Sequence, residues 1–174
     1  MGPTRRAAIL LAILVFAGAA PLHVRAAEST FLDRFKGTWT GSGQVQRNAA
    51  TSPWQVSCTA TGSRDLDRIS IQGNCRAALV LQRQIGAELT FDPHSGSYRG
   101  IYTGALVGPA RLLGTRKGDT VSLRIKWPRP VNGDTQAEMI IHNEGEGILR
   151  IVVRDNLTPG GPVQQTSDLV LRQR

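Results

Sequence analysis

Gly41-Ser42-Gly43 sets a hydroxyl between two glycines, the type of surroundings in which an acyl-transfer nucleophile is found. That chemistry also needs a base within hydrogen-bond reach and an acid to orient it, and no Gly-x-Ser-x-Gly elbow is present. Trp39, Gly41, Gly43 and Val45 share one face of an alternating run, so Ser42 points to the other. The glycines read instead as a place where a strand bends or packs closely. Asp65 and Asp67 are a second pair to test, because glycoside cleavage uses two carboxyls projecting into one cleft. These two fall in a predicted turn, where solvated or salt-bridged acids belong. His142 with Glu144 and Glu146 has the donors of a weak cation site, but Asn143–Gly147 reads more economically as a solvated hairpin. A metal needs three or four convergent ligands, and a haem needs an axial imidazole inside a pocket. His94 lies in a turn and His142 at a strand end, so neither metal nor cofactor is expected. With no acid, base or nucleophile in a recognisable arrangement, the chain reads as a non-enzyme.

Cys58 and Cys75 are the only cysteines. Cys58 shares a face with Trp54, Val56 and Ala60, and Cys75 with Ile69, Ile71 and Gly73. An antiparallel hairpin turning near Leu66-Asp67 sets Cys58 opposite Cys75 when Thr61 is opposite Gln72. A directly opposed, non-hydrogen-bonded pair brings Cα atoms to about 4.5 Å, within disulfide range. The spacing is far from Cys-x-x-Cys, so a structural disulfide is expected rather than a redox-active pair.

Trp127-Pro128-Arg129-Pro130 puts an aromatic ring, a guanidinium and a stiff backbone side by side. Trp127 and Arg129 are therefore candidates for a surface-loop contact with a sugar or an anionic group, against the alternative of an edge-strand loop with a buried Trp. Nucleic-acid binding wants exposed aromatics among basic residues. Aromatics are only 5% of this chain, and most fall on faces assigned to the interior, so no nucleic-acid partner is expected.

The elements that position these groups are strands. Val121-Ser122-Leu123-Arg124-Ile125-Lys126-Trp127 is apolar at odd positions and polar at even ones, the mark of a half-buried strand. Comparable runs are Trp39–Val45, Trp54–Ala60, Ile69–Cys75, Leu79–Ile85, Ala87–Phe91, Tyr98–Thr103, Ala110–Thr115, Gln136–Ile141, Ile148–Val153 and Gln165–Leu171. Phe31–Phe35 suits a short helical turn ahead of them. Turn signals separate the runs at Asp92–Gly96, Lys117–Asp119 and Asn143–Gly147, and longer loops are expected at Pro128–Asp134 and Asn156–Pro162. The fold class is all-β: a single antiparallel meander barrel of about eight to ten strands.

Arg5 and Arg6 precede an apolar run, Ala7–Ala20, and a small-residue exit, Val24-Arg25-Ala26. That order reads as a secretory signal, too short to cross a bilayer stably. Residues 1–26 are read as signal peptide and residues 27–174 as one domain, exported to the periplasm or secreted. Removal leaves 148 of 174 residues and takes Arg5, Arg6 and Arg25, so the balance falls from +8 to +5, with 18 basic against 13 acidic side chains. The basic residues are spread singly, as on a solvated face, though they also suit an anionic envelope component. No further apolar run is long enough for an integral span. Arg124, Lys126, Arg150 and Arg154 lie opposite the core face, where a lipid-facing barrel would have to be apolar.

Phe35-Lys36-Gly37-Thr38-Trp39-Thr40-Gly41 resembles the opening of calycin-type barrels, the lipocalin, fatty-acid-binding and nitrobindin-like group. There a Gly-x-Trp follows a short helical turn and starts the first strand. The resemblance implies that Trp39 plugs one barrel end under an arginine of the last strand, here Arg172 or Arg174. No paired Arg-x-Tyr carboxylate site and no confident haem histidine is present, so no family ligand carries over. The chain as a whole is also similar to exported bacterial proteins. A small apolar molecule is the expected partner, lined by the inward side chains Trp54, Phe91, Tyr98, Tyr102, Leu113, Trp127 and Met139, which would otherwise simply fill the core. The second reading is a structural or interaction protein of the envelope acting through its basic surface.

Overall fold

Apolar side chains at every second position give each strand one face for a common interior, and the computed structural model, which describes residues 20–78 and 81–174, closes those faces into a barrel. The strands are β1 (Gly37–Val45), β2 (Trp54–Asp65), β3 (Arg68–Ala77), β4 (Leu81–Asp92), β5 (Ser97–Thr103), β6 (Ala110–Lys117), β7 (Thr120–Val131), β8 (Asp134–Asn143), β9 (Ile148–Asn156) and β10 (Val163–Gln173). Each pairs antiparallel with its sequence neighbours, and β1 pairs with β10 to complete the ring. Closure satisfies both edges of the sheet at once. Among the described residues no helix is long and apolar enough to cross a membrane.

Several boundaries differ from the sequence reading for identifiable reasons. Leu81–Ile85 and Ala87–Phe91 form one strand, β4, because Gly86 continues the ladder opposite Gln72 and Thr103; Leu79 and Val80 of the expected run lie outside the described residues. Pro128-Arg129-Pro130 lies in β7 rather than in a loop. The β7–β8 ladder is interrupted between Lys126 and Val131, so neither proline is asked for a ladder donor. The turn there is Asn132-Gly133 alone, both with positive φ, as a two-residue hairpin requires.

Leu113 is exposed, not inward. Ala110 and Leu112 supply the inward face of β6, since burying Leu113 would take Arg111 inside with it. In β1 the close packing expected of the glycines is literal: a Cβ on Gly43 would stand 1.9 Å from the Asp168 carbonyl oxygen.

Cys58 pairs with Cys75 in the expected register, with Thr61 opposite Gln72, and the two form a disulfide with Cα atoms 4.1 Å apart. Both sulfurs belong to the inner wall.

The helix preceding β1, α1 (Ala20–Asp33), is longer than the turn read from Phe31–Phe35. It runs through Ala26, after which signal cleavage is expected. Arg5, Arg6 and most of the expected leader lie outside the described residues. The exposed stretch Arg25–Ala27 gives way to buried Glu28, Phe31, Leu32 and Phe35, which cover the barrel end where β1 begins.

Candidate functional site

The two ends of the barrel are built differently. At the end where odd-numbered strands start, α1 is a plug held by arginines. Arg116 Nη2 donates to Glu28 Oε2 at 2.8 Å and Arg116 Nε to both carboxylate oxygens, while the Tyr98 hydroxyl donates to the same carboxylate. Arg64 donates to the Ser29 carbonyl and hydroxyl at 2.8 Å and pairs with Asp33. Arg34 bonds Asp119 at 2.6 Å and the Asn143 carbonyl at 2.8 Å, and Asn143 returns its Nδ2 to the Arg34 carbonyl.

Trp39 is completely buried here, and its indole N–H donates to the Phe35 carbonyl at 3.1 Å. Arg172 does not cover it. Arg172 pairs with Thr40 and is exposed, because Gln173 is the residue opposite Trp39. Arg174 is also exposed and reaches Thr40 Oγ1. The arginine-over-ring contact exists at this end on another residue: Arg116 lies 4.6 Å and Arg34 5.5 Å from the Phe31 ring centre.

The opposite end has no such plug among the described residues. Val45, Ile85, Tyr102, Ala137, Ile151 and Val153 have inward positions there yet are only partly buried, whereas Tyr98, Leu123, Ile125 and Leu149 deeper in are at most 1% exposed. β4 begins at Leu81, but its pairing with β5 starts only at Gly86. The overhang leaves a notch of about 620 Å³ at the rim, lined by Gln72, Asn74, Arg83, Gln84, Ile85 and Thr103 among others. Ile85 comes from the inner face and Gln84 from the outer, so the notch straddles the wall.

The expected lining residues therefore separate. Phe91 and Tyr98 lie under α1, their rings 5.3 Å apart, and serve the plug. Met139 is buried at mid-height. Tyr102 and Trp127 meet edge to face at the open end, 6.2 Å apart. Trp54 has the expected inward parity but sits at the rim, 36% exposed, with Arg47 over its ring at 5.8 Å. Trp127 is 7% exposed and faces the lumen, so it is not a surface-loop contact; Arg129 is exposed and donates to the Val107 carbonyl.

Trp127 has a partner that sequence reading missed. Its Nε1 donates to Asp155 Oδ2 at 3.0 Å, from β7 to β9 across the intervening β8. Asp155 is 4% exposed, and its other oxygen accepts the Asn156 N–H at 2.8 Å. Burial pushes the Asp155 carboxyl above the usual range against the pull of these two donors, and nearby Asp134 pushes the same way. Asn156 Nδ2 donates to Asp134, and Asn132 Nδ2 to the Asn156 carbonyl, which ties the Asn132-Gly133 turn to the end of β9. The one sequence signal for this group is an acid on the inward parity of β9, in line with Leu149, Ile151 and Val153.

The sites tested for catalysis stay apart. Ser42 faces outward opposite Ser57 and Val170, and Asp65 and Asp67 are exposed at the β2–β3 turn. His142 bonds Thr120 and Glu144. Among the described residues no three His, Cys, Asp or Glu side chains converge as metal ligands.

No protein-family model matches the chain, and no curated protein matches it. Among solved structures it is similar to Rv2717c from M. tuberculosis, with 16% sequence identity, a TM-score of 0.65, and coverage of 84% of this chain and 97% of that one. At that identity the likeness concerns the fold, a shared barrel architecture.

Proposed function

We propose that the chain is an exported calycin-like barrel that carries a small apolar molecule in the open half of its lumen, as a binding protein rather than a catalyst. The carrying observation is the contrast between its ends. Inward apolar side chains keep partial solvent access only away from α1, which suits a cavity mouth. A short helix leading into Gly37-Thr38-Trp39 on the first strand of a closed barrel supports the calycin-like reading.

Export is supported by two features. Cys58–Cys75 suits an oxidising compartment. The anchoring contacts described for α1 begin at Glu28, two residues beyond the expected cut after Ala26, so cleavage there leaves them in place.

Native mass spectrometry on protein purified from a bacterial periplasm, repeated after denaturing extraction, tests the reading. Excess mass that disappears on denaturation is the expected result. A bare polypeptide, two hydrogens lighter for the disulfide, counts against a carried molecule.

One observation favours the second reading, contact with an anionic envelope component. Ile101 and Leu113 are exposed on the outer face of β5 and β6, and the ladder sets Arg111, Arg124 and Lys126 beside them. Salt-sensitive retention on envelope material, lost in Arg111→Glu with Arg124→Glu, is the outcome that reading requires.

A further inference from the structure

In a chain with 21 basic side chains, the most buried carboxyl at the open end has no cationic partner among the described residues. Asp155 is 4% exposed, and no lysine, arginine or histidine of the described residues pairs with it or with Asp134. Elsewhere the buried acid is neutralised, as Glu28 is by Arg116. Aspartate is rarely buried unless paired, because desolvation penalises its charge. The two N–H groups that reach Asp155 take one lone pair on each oxygen, and a carboxylate accepts about four hydrogen bonds.

The surroundings complete a receptor for a positive charge. The indole N–H edge of Trp127 lies against Asp155, and Tyr102 meets Trp127 edge to face, so a carboxylate and two aromatic rings adjoin at this end. Of the arginines on inward positions, Arg64 and Arg116 are at the other end, engaged with α1, and Arg83 is at the open end, on the same face of β4 as Ile85. Arg83 is the cation at the notch. It is exposed, donates to the Gly104 carbonyl, and stands on β4, halfway round the ring from β9. The Arg83 charge reaches Tyr102 but is exposed, while Asp155, across the ring, acts in a desolvated setting where charge counts for more.

We propose that the molecule taken up at the mouth is an apolar amine, its protonated nitrogen seated on Asp155 and Trp127 and its hydrocarbon along Ile85, Tyr102, Ile151 and Val153. This inference rests on the carrier reading and specifies its ligand class.

Three probes of equal chain length, decylamine, decan-1-ol and decanoate, are titrated separately into the mature wild-type protein by calorimetry at neutral pH. Decylamine is expected to bind roughly tenfold more tightly than the alcohol, the worth of one charge-assisted hydrogen bond, with decanoate weakest. Asp155→Asn should bring the amine to the level of the alcohol and leave the alcohol unchanged. Equal binding of all three, preference for decanoate, or an amine preference surviving Asp155→Asn overturns the amine assignment while leaving a carrier. Failure of all three probes, together with a bare native mass, overturns the carrier reading and this inference with it. The wild-type comparison stands even if Asp155→Asn fails to fold.

Discussion

Arg116 on β6 and Glu28 on α1, 88 residues apart in sequence, form a paired charge at the closed end of the barrel, with the Arg116 guanidinium also stacked over Phe31. The Glu28 side chain is 6% exposed and that of Arg116 20%. The pair joins a local helix to a sheet assembled from distant strands, so it tests whether α1 is a structural plug.

Removing one partner of a buried pair strands the other charge, at a cost of about 3–5 kcal/mol. Arg116→Ala is therefore expected to lower stability by about 3 kcal/mol in urea denaturation and to expose α1 to limited proteolysis near Glu28. Unchanged protection of α1 in the variant would show that Phe31, Leu32 and Phe35 hold the plug unaided.

The disulfide closes a segment with a sequence separation of 17. In the chain-entropy model that stabilises by roughly 3 kcal/mol. Cys58→Ser with Cys75→Ser should shift the urea midpoint down accordingly, and dithiothreitol should shift the wild type but not the double variant.

Asp155 sets a pH dependence opposite in sign to that of the paired surface acids. Its folded-state pKa is raised, chiefly by burial, so on acidification the folded state takes up this proton before the unfolded chain does. Lowering the pH from neutral towards the ordinary carboxylate range should therefore improve wild-type stability relative to Asp155→Asn, with the change complete below the unfolded-state pKa. Asp168, lowered first by its hydrogen bond from Arg150, behaves the other way: its contribution is lost as pH falls through its folded-state pKa. Denaturation curves for wild type, Asp155→Asn and Asp168→Asn across this range check both signs.

Gly43→Val is expected to cost about 3 kcal/mol, because its Cβ would meet the backbone of β10 rather than a movable side chain. Ser42→Val, on the outward face beside it, should change little. Melting temperatures of the two variants make the comparison, and equal shifts would argue against a close β1–β10 approach at Gly43.

Much of the barrel was legible because strand parity is local. The inward row Val121, Leu123, Ile125, Trp127 and the opposition of Cys58 to Cys75 follow from period two and one hairpin register. Where a run carries two adjacent leucines, Leu112 and Leu113, alternation alone does not say which is inward, and it is Leu112. Arg111 beside Leu113 held the missing information, since both share a face. The Asn132-Gly133 turn is also written in the chain, but Pro128 and Pro130, which are turn formers in isolation, extend β7 where its ladder to β8 is interrupted.

The candidate site was less legible. Trp127 and Tyr102 could be named from their alternation, but the Trp127–Asp155 hydrogen bond joins β7 to β9 across the intervening β8 and follows from ring order, not from local pattern. Likewise Arg172, chosen as the cover for Trp39, lost that role because one residue of register sends its side chain outward. The sequence by itself determined the strands, the faces they bury and the pairing of the cysteines, because these depend on neighbours a few residues away. Only the tertiary structure decided which end is plugged, which acid is left without a cation and which aromatics share the mouth. Those properties arise where strands distant in sequence converge, and each side chain's partner is set by ring closure, not by its own surroundings in the chain.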